Sequence, residues 1–129
     1  MQKFGAADGL SELLEWSEPV IFDCLTETYR TYVTQKDVIG HLGRLHGRAW
    51  RALIAGDMRR FRALRRELTA ALQPLGVGPT CMAAADARAL AELNDIIAAR
   101  FQRCGRIAQG YRLALVEIAN RLTPVLQAA

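Results

Sequence analysis

Apolar residues recur every three or four positions along most of the chain, the spacing that places them on one side of an α-helix. The clearest example lies at 41–82, where the pattern predicts two amphipathic helices joined at Gly56-Asp57. The apolar stripe of the first helix contains Leu42, Leu45, Ala49, Trp50, Leu53 and Ile54. The second helix repeats the spacing with Met58, Phe61, Leu64, Leu68 and Leu72.

The residues between these helices predict where each one ends. Asp57 is placed to accept a hydrogen bond from the free N–H groups of the second helix. Pro74 has no N–H and clashes with the preceding turn, so we expect this helix to end near Gln73. The loop LGVGP follows. Its Pro79 is pre-organised to be the first residue of another helix.

Before this stretch, the pattern predicts a loose arm and two shorter helices. Residues 1–9 form the arm, because Gly5 and Gly9 favour an irregular backbone. Ser11 could cap a short helix containing Trp16. Proline is tolerated in the first turn of a helix, so Pro19 favours a second helix that runs to about Thr34.

After the loop, a long helix is expected at about Thr80 to Arg103, with Gly105 as its C-terminal cap. Along one stripe it carries Met82, Asp86, Leu90, Leu93, Ile97 and Phe101. A last helix is expected at about Arg106 to Gln127. Its apolar face is wider than one intramolecular contact needs, because Leu113, Val116 and Leu126 extend it. The surplus predicts a homodimer that pairs the last two helices in a four-helix bundle, with Leu113, Val116 and Ile118 at the interface.

Composition agrees with one helical domain at 1–129. Half of the residues are hydrophobic (51%), and Leu and Ala outnumber the β-branched types, which favours helix over strand. No run approaches the roughly 20 apolar residues of a membrane span, and the first ten residues lack the apolar core of a signal peptide. The three cysteines, Cys24, Cys81 and Cys104, are far apart and odd in number, so they favour neither disulfides nor a zinc site. We therefore expect a soluble cytoplasmic protein.

The net charge is +4, and most of the basic excess is arginine between Arg44 and Arg66. Arg59, Arg62 and Arg66 share a face, and Arg60 and Arg65 flank it. Such a stripe could follow a phosphate backbone, which makes a basic nucleic-acid-binding module one alternative function. The stripe lacks interleaved aromatic residues, so a solvated face, or one that meets an acidic partner, is the stronger interpretation.

Several short motifs within 41–82 resemble the bacterial sensor globins, the globin-like domains of globin-coupled sensors and stressosome regulators. They are Trp50 in a helix that ends Leu53-Ile54-Ala55-Gly56, then Phe61, then Leu75-Gly76-Val77-Gly78-Pro79. The resemblance extends more weakly over about Glu18 to Leu126. It implies an all-α, globin-like bundle of about five to six helices, dimerisation through the last two helices, and attachment to an output module.

The family's haem-ligating histidine lies four residues before the loop glycine, where this chain has Leu72. The resemblance therefore implies a haemless variant without a cofactor, with Tyr29 and His46 on the distal side. The pocket would be bounded by Tyr29, His46, Trp50, Phe61, Leu68, Leu72 and Met82. Two outcomes are open: large side chains close it, or a small apolar ligand such as a fatty acid fills it. We favour a partly closed, apolar pocket. Haem bound through another residue, in a gas sensor, is the second alternative.

No set of residues indicates catalysis. His41 and His46 are five positions apart and fall on different helical faces, which is poor spacing for a shared metal. A lone helix histidine such as His46 is typically partly exposed and hydrogen-bonded. His41-Leu42-Gly43-Arg44-Leu45 departs from the H-x-x-K-G pattern of phosphotransfer domains. The carboxylates Glu67, Asp86, Glu92 and Asp95 have no sequence neighbour that suggests acid–base work. We expect a non-enzymatic sensory or regulatory domain that signals through dimer packing.

Overall fold

The computed structural model describes Gly9, Glu12, 15–101 and 105–128, with side chains as far as Leu122. Five α-helices run in chain order: α1 at Glu18–Arg30, α2 at Lys36–Ala55, α3 at Met58–Leu72, α4 at Thr80–Arg100 and α5 at Gly105–Ala128. A 3-10 turn at Gln73–Leu75 separates α3 from α4. No described residue belongs to a strand, so the prediction of an all-α bundle is confirmed.

The boundary between α2 and α3 follows the predicted chemistry. Gly56 has φ 83°, a left-handed conformation that suits glycine, and its N–H bonds the Leu53 carbonyl at 3.1 Å. The Asp57 carboxylate then accepts from the Arg60 N–H at 3.1 Å, capping α3. Pro74 lies in the 3-10 turn directly after α3, which ends at Leu72, one residue before the expected position.

Two helices end earlier than the apolar pattern predicts. α1 ends at Arg30 rather than Thr34, because the N–H groups of Tyr32 and Val33 both turn back to the Tyr29 carbonyl, at 3.0 and 2.9 Å. α4 ends at Arg100 rather than Arg103.

The aromatic side chain after α4 explains the second difference. Phe101 leaves helical geometry, with φ −117° and ψ 15°, and its ring packs 4.7 Å from that of Tyr111. Gly105 is therefore the first residue of α5 and not the cap of α4, which corrects the expected role. Pro79 likewise precedes the helix as the N-cap of α4 instead of being its first residue.

α2 is the central element and packs against α1, α3 and α5, while α4 packs against α1 and α5. The approach of α1 to α2 is close at Gly43, where an added Cβ would lie 2.6 Å from the Thr26 hydroxyl. The large side chains that are fully buried include Trp50, Tyr29, Phe61, Leu25, Leu42, Leu53, Leu68, Leu72, Leu93, Ile97 and Ile118.

An arginine fastens α5 to the C-terminal end of α2. Arg121 Nη1 donates to the carbonyls of Leu53 at 2.7 Å and Ile54 at 3.1 Å, two of the last carbonyls of α2. The last carbonyls of a helix lack the usual partner one turn later, and a cation is favourable at this end of the helix dipole. The Leu53 carbonyl accepts from the Gly56 N–H as well as from Arg121. The contact sets where α5 crosses α2.

Parts of the N-terminal and C-terminal predictions fall outside the described residues. This applies to the arm at 1–9 except Gly9, to Ser11 as a cap, to Cys104 and to the Leu126 side chain. Gly9 itself is helical and buried, and a Cβ there would lie 2.5 Å from the Gly110 carbonyl oxygen. Trp16 donates through Nε1 to the Tyr111 hydroxyl at 3.2 Å. None of the described helices has the length and apolar character to cross a bilayer.

Candidate functional site: a buried polar network

Five polar side chains from four helices meet in the interior and are called here the buried network. α1 supplies Tyr29, α2 supplies His46 and Trp50, α3 supplies Arg65 and α4 supplies Asp86. Tyr29, His46 and Trp50 have no exposed surface, and Asp86 and Arg65 are 1% and 7% exposed. Buried charge is costly unless it is paired and hydrogen-bonded, so the contacts decide whether this arrangement is stable.

The Asp86 carboxylate is the centre of the network. Its Oδ1 accepts from Trp50 Nε1 and lies beside His46 Nε2, both at 2.7 Å. Arg65 approaches with two nitrogens: Nη2 lies 2.8 Å from Oδ2, and Nη1 lies 3.2 Å from Oδ1. This two-pronged arrangement is the favourable geometry for a guanidinium and a carboxylate. Both oxygens of Asp86 are therefore occupied.

The second ring nitrogen of His46 meets Tyr29, and the pair fixes the tautomer. Tyr29 Oη lies 2.7 Å from His46 Nδ1. Since Asp86 can only accept when ionised, His46 Nε2 carries the proton that it donates to Asp86. Nδ1 then accepts from the Tyr29 hydroxyl. With this assignment, Arg65 Nη1 and His46 Nε2 are both donors, so their 2.9 Å contact is not a hydrogen bond. The two nitrogens lie close together because both donate to Asp86 Oδ1.

The pKa shifts agree with that assignment. Burial lowers the pKa of His46 more strongly than the Asp86 carboxylate raises it, so the ring is neutral. Burial also raises the pKa of Tyr29, which keeps the phenol proton available for His46. For Asp86, burial alone would raise the pKa. The hydrogen bonds and the Arg65 charge outweigh it and hold the pKa below its usual range.

The network spans a part of the bundle where the helix backbones stay apart. Among the described residues, the backbone of α4 does not come close to that of α2 or α3. Asp86 nevertheless reaches both, through His46 and Trp50 on α2 and through Arg65 on α3. Polar side chains of the buried network therefore connect α4 to α2 and α3 across the space between their backbones.

All seven predicted pocket residues lie in the interior. Three of them, Tyr29, His46 and Trp50, belong to the buried network, so this region is polar and internally bonded rather than an apolar pocket. The expectation that His46 is partly exposed is wrong. The other four are apolar and at most 5% exposed: Phe61, Leu68, Leu72 and Met82.

The sequence analysis missed the two charged members of the network. Arg65 was grouped with the arginine stripe, but it turns inward and stacks with its guanidinium carbon 5.6 Å from the centre of the Phe61 ring. Asp86 was judged to lack a partner. Its position between Met82 and Leu90 in the apolar stripe of α4 was the available signal, because a carboxylate there must find a buried partner. The partner itself lies 21 residues away and cannot be read from local spacing.

Two of the three predicted interface residues are on the surface. Leu113 is 42% exposed and Val116 is 57% exposed. Ile118 is fully buried within its own chain, which corrects its assignment to the interface. A groove of about 400 Å³ runs between α4 and α5 beside the exposed pair, lined by Leu90, Ala91, Asn94, Arg112, Leu115, Val116 and Ala119.

The remaining arginines of the stripe, Arg59, Arg62 and Arg66, are exposed, as a solvated face requires. His41 is exposed on α2 while His46 is buried, so the two histidines do fall on different faces. Within the described part of the chain, no three metal-ligating side chains cluster.

The chemistry that the buried network can perform is limited by its closure. Every buried side-chain nitrogen and oxygen of the described residues has a hydrogen-bond partner. No buried nitrogen or oxygen of the network is therefore left without any partner. The chain matches no protein-family model, and no curated protein and no solved structure matches it.

Proposed function

We propose that the chain is a non-enzymatic regulatory domain, of the haemless globin-like kind, that acts through the pairing of two copies along α4 and α5. The observation that carries this proposal is the exposure of Leu113 and Val116 beside the α4–α5 groove. Exposed apolar side chains that lie together next to an apolar depression are typical of interaction surfaces.

The shape of this surface favours a second copy as the partner. Val116 is exposed and also lines the groove, so the same face carries an exposed apolar side chain and an apolar depression. A two-fold axis places the exposed side chain of each copy in the depression of the other, which is how symmetric dimers form self-complementary contacts. Asn94 and Arg112 supply polar groups at the border, as interfaces of this kind require.

The closed interior supports regulation rather than catalysis. A catalytic group must reach its substrate, but the charged and titratable members of the buried network bond to one another. The same contacts disfavour the alternative of haem held by another residue. His46 or Tyr29 could ligate iron only by giving up hydrogen bonds of 2.7 Å.

The nucleic-acid alternative has less support than the dimer. Arg65 is withdrawn from the basic stripe by its ion pair with Asp86, which leaves Arg59, Arg62 and Arg66 as the exposed row. Their face carries no exposed aromatic side chain that could stack on bases. An output module or separate signalling partner remains part of the proposal through the resemblance to sensor globins.

Analytical ultracentrifugation tests the dimer. The wild-type protein should sediment as a dimer at micromolar concentrations, and Val116→Glu should shift it to monomer because two carboxylates would enter an apolar interface. Tyr32→Glu is the matched control, since Tyr32 is 46% exposed but lies after α1. A wild-type protein that stays monomeric at high concentration, or variants with equal effect, would contradict the proposal.

A further inference from the structure

A second groove, here called the α1–α2 groove, opens between the start of α1 and the outer side of α2. Its volume is about 400 Å³. Ile21 and Phe22 of α1 and Ile54 of α2 give the groove its apolar lining, here called its floor. Arg44, Arg48 and Arg51 of α2 also line it, as do Ser17, Glu18 and Pro19 at the start of α1. It shares no residue with the buried network or with the α4–α5 groove.

The three arginines give this groove a concentrated positive charge. They follow one another at i, i+4 and i+7, which places them along about 10 Å of the same helix face. All three are exposed. Arg51 has an acidic neighbour, Glu18, at 3.3 Å, and both side chains are largely in solvent, so this pair is weak. Neither Arg44 nor Arg48 forms an ion pair with a described residue.

Gly47 leaves the wall of the groove open between Arg44 and Arg48. A Cβ added at this position meets no atom within 4 Å, so the space beside the helix is unoccupied there. Gly43, one turn earlier, is different because a Cβ there would meet Thr26 at 2.6 Å. The space at Gly47 is thus a feature of the groove and is not required for the packing of α1 against α2.

We infer that the α1–α2 groove binds a free single-chain amphiphile with an anionic head, such as a fatty-acid carboxylate. The hydrocarbon chain would cover the apolar floor of Ile21, Phe22 and Ile54, which is favourable in proportion to the area removed from water. The carboxylate would meet guanidinium groups of the arginine row, a charge-assisted contact with suitable geometry.

The combination of features selects this ligand class. A small inorganic anion would contact the arginines but leave the apolar floor in water. An uncharged hydrocarbon would cover the floor but gain nothing from the positive charge of the arginines. The apolar surface is recessed instead of projecting, which suits a single free molecule better than a bilayer. The inference does not depend on dimerisation.

Calorimetric titration with laurate, kept below its micelle-forming concentration, tests the site. Laurate should bind with a stoichiometry of one per chain. The triple variant R44Q/R48Q/R51Q should bind at least about tenfold more weakly, because the head group loses its charged partners. The matched control is R59Q/R62Q/R66Q, which removes the same charge from exposed positions on α3. It should change the affinity less than about twofold, since those positions lie outside the groove.

A second pair of variants tests the groove without changing charge. Gly47→Leu should abolish binding by filling the open space, whereas Gly47→Ala should retain it. Both should fold, because replacing glycine within a helix improves helix propensity. V116E should bind laurate like the wild type, which separates this site from the proposed dimer.

Three results would overturn the inference: no heat of binding with laurate, equal weakening by the two arginine triples, or unchanged binding by Gly47→Leu in a folded protein. Binding to vesicles that contain anionic lipid should be measured in parallel, to distinguish a free ligand from a membrane surface. Binding to vesicles without binding to monomeric laurate would show a membrane-surface contact and would also overturn it.

Discussion

Arg65 and Asp86 form a buried, two-pronged ion pair between α3 and α4, two helices whose backbones do not approach each other closely. Their side chains are only 9% and 2% exposed. Removing charges from water costs several kcal/mol per ion, so the pair depends on the added hydrogen bonds from His46 and Trp50. Deleting one partner leaves the other charge buried alone.

The first prediction follows from the cost of leaving Asp86 buried without its positive partner. Arg65→Gln should lower the free energy of unfolding by about 3–5 kcal/mol, because Asp86 loses its full positive partner in the interior. Arg66→Gln, a neighbouring exposed arginine, should change it by less than about 0.5 kcal/mol. Urea denaturation followed by circular dichroism measures both. Similar losses in the two variants would show that Arg65 is not buried in solution.

Tyr29→Phe should cost about 1–3 kcal/mol of unfolding free energy. The phenyl ring keeps the packing, but His46 Nδ1 loses its donor and no described group is placed to replace it. Tyr32→Phe serves as the control, because Tyr32 is 46% exposed and its hydroxyl can be replaced by water. A double-mutant cycle with His46→Asn should give a coupling energy clearly above zero. A coupling near zero would argue against the Tyr29–His46 hydrogen bond.

The protein should lose stability as the pH falls from about 7 to 5. Burial holds the pKa of His46 below the ordinary histidine value of about 6.5, so the ring stays neutral in the folded chain while the unfolded chain takes up a proton. The stability that His46 contributes is fully present at pH values above the pKa of the unfolded chain, about 6.5. It is lost as the pH falls towards the lower pKa of the folded chain. Asp86, with its lowered pKa, adds a loss only in more acidic solution.

Unfolding free energies measured across that pH range in wild type, His46→Gln and His41→Gln test the assignment. His41 is exposed, so its replacement should leave the pH dependence almost unchanged. His46→Gln should flatten it. Identical slopes in all three proteins would show that His46 is not the titrating group.

Leu72→His should give a folded protein that is about 1–3 kcal/mol less stable, because a polar ring enters an apolar site. If the globin-like alignment holds, this substitution restores the family's haem-ligating position. We expect no Soret absorption in the wild type after incubation with haemin, and a weak Soret band in the variant. A strong Soret band in the wild type would contradict the haemless interpretation.

The sequence predicted the helices well because their determinants are local. Gly56, Asp57 and Pro74 act through the backbone of their own turn, and all three have the expected effects. The end of α4 was wrong by three residues, since Phe101 leaves the helix to pack against Trp16 and Tyr111. Those partners are not visible from the spacing near Phe101.

The candidate site was less predictable because its contacts are distant in the chain. The apolar stripe of its helix predicts a buried Trp50, and the resemblance to sensor globins predicts an interior Tyr29. For His46 the resemblance predicts a place in the pocket, whereas the usual behaviour of a lone helix histidine predicts partial exposure. Asp86 and Arg65 were missed, since a carboxylate and a guanidinium are ordinarily exposed and only the folded arrangement makes them neighbours. Leu113 and Val116, in contrast, were recognised as surplus apolar residues from the pattern alone, and they are exposed.

The buried network also constrains how related chains can diverge. Making Tyr29, Arg65 or Asp86 apolar alone leaves the His46 acceptor, the Asp86 charge or the Arg65 charge without its partner, so concerted changes cost less than single ones. In relatives of this chain, Tyr29, His46, Trp50, Arg65 and Asp86 should therefore be retained together or replaced together by an apolar set. A lineage that exchanged the whole set for apolar residues of similar volume would keep the bundle, and it would lose the link between folding stability and proton concentration.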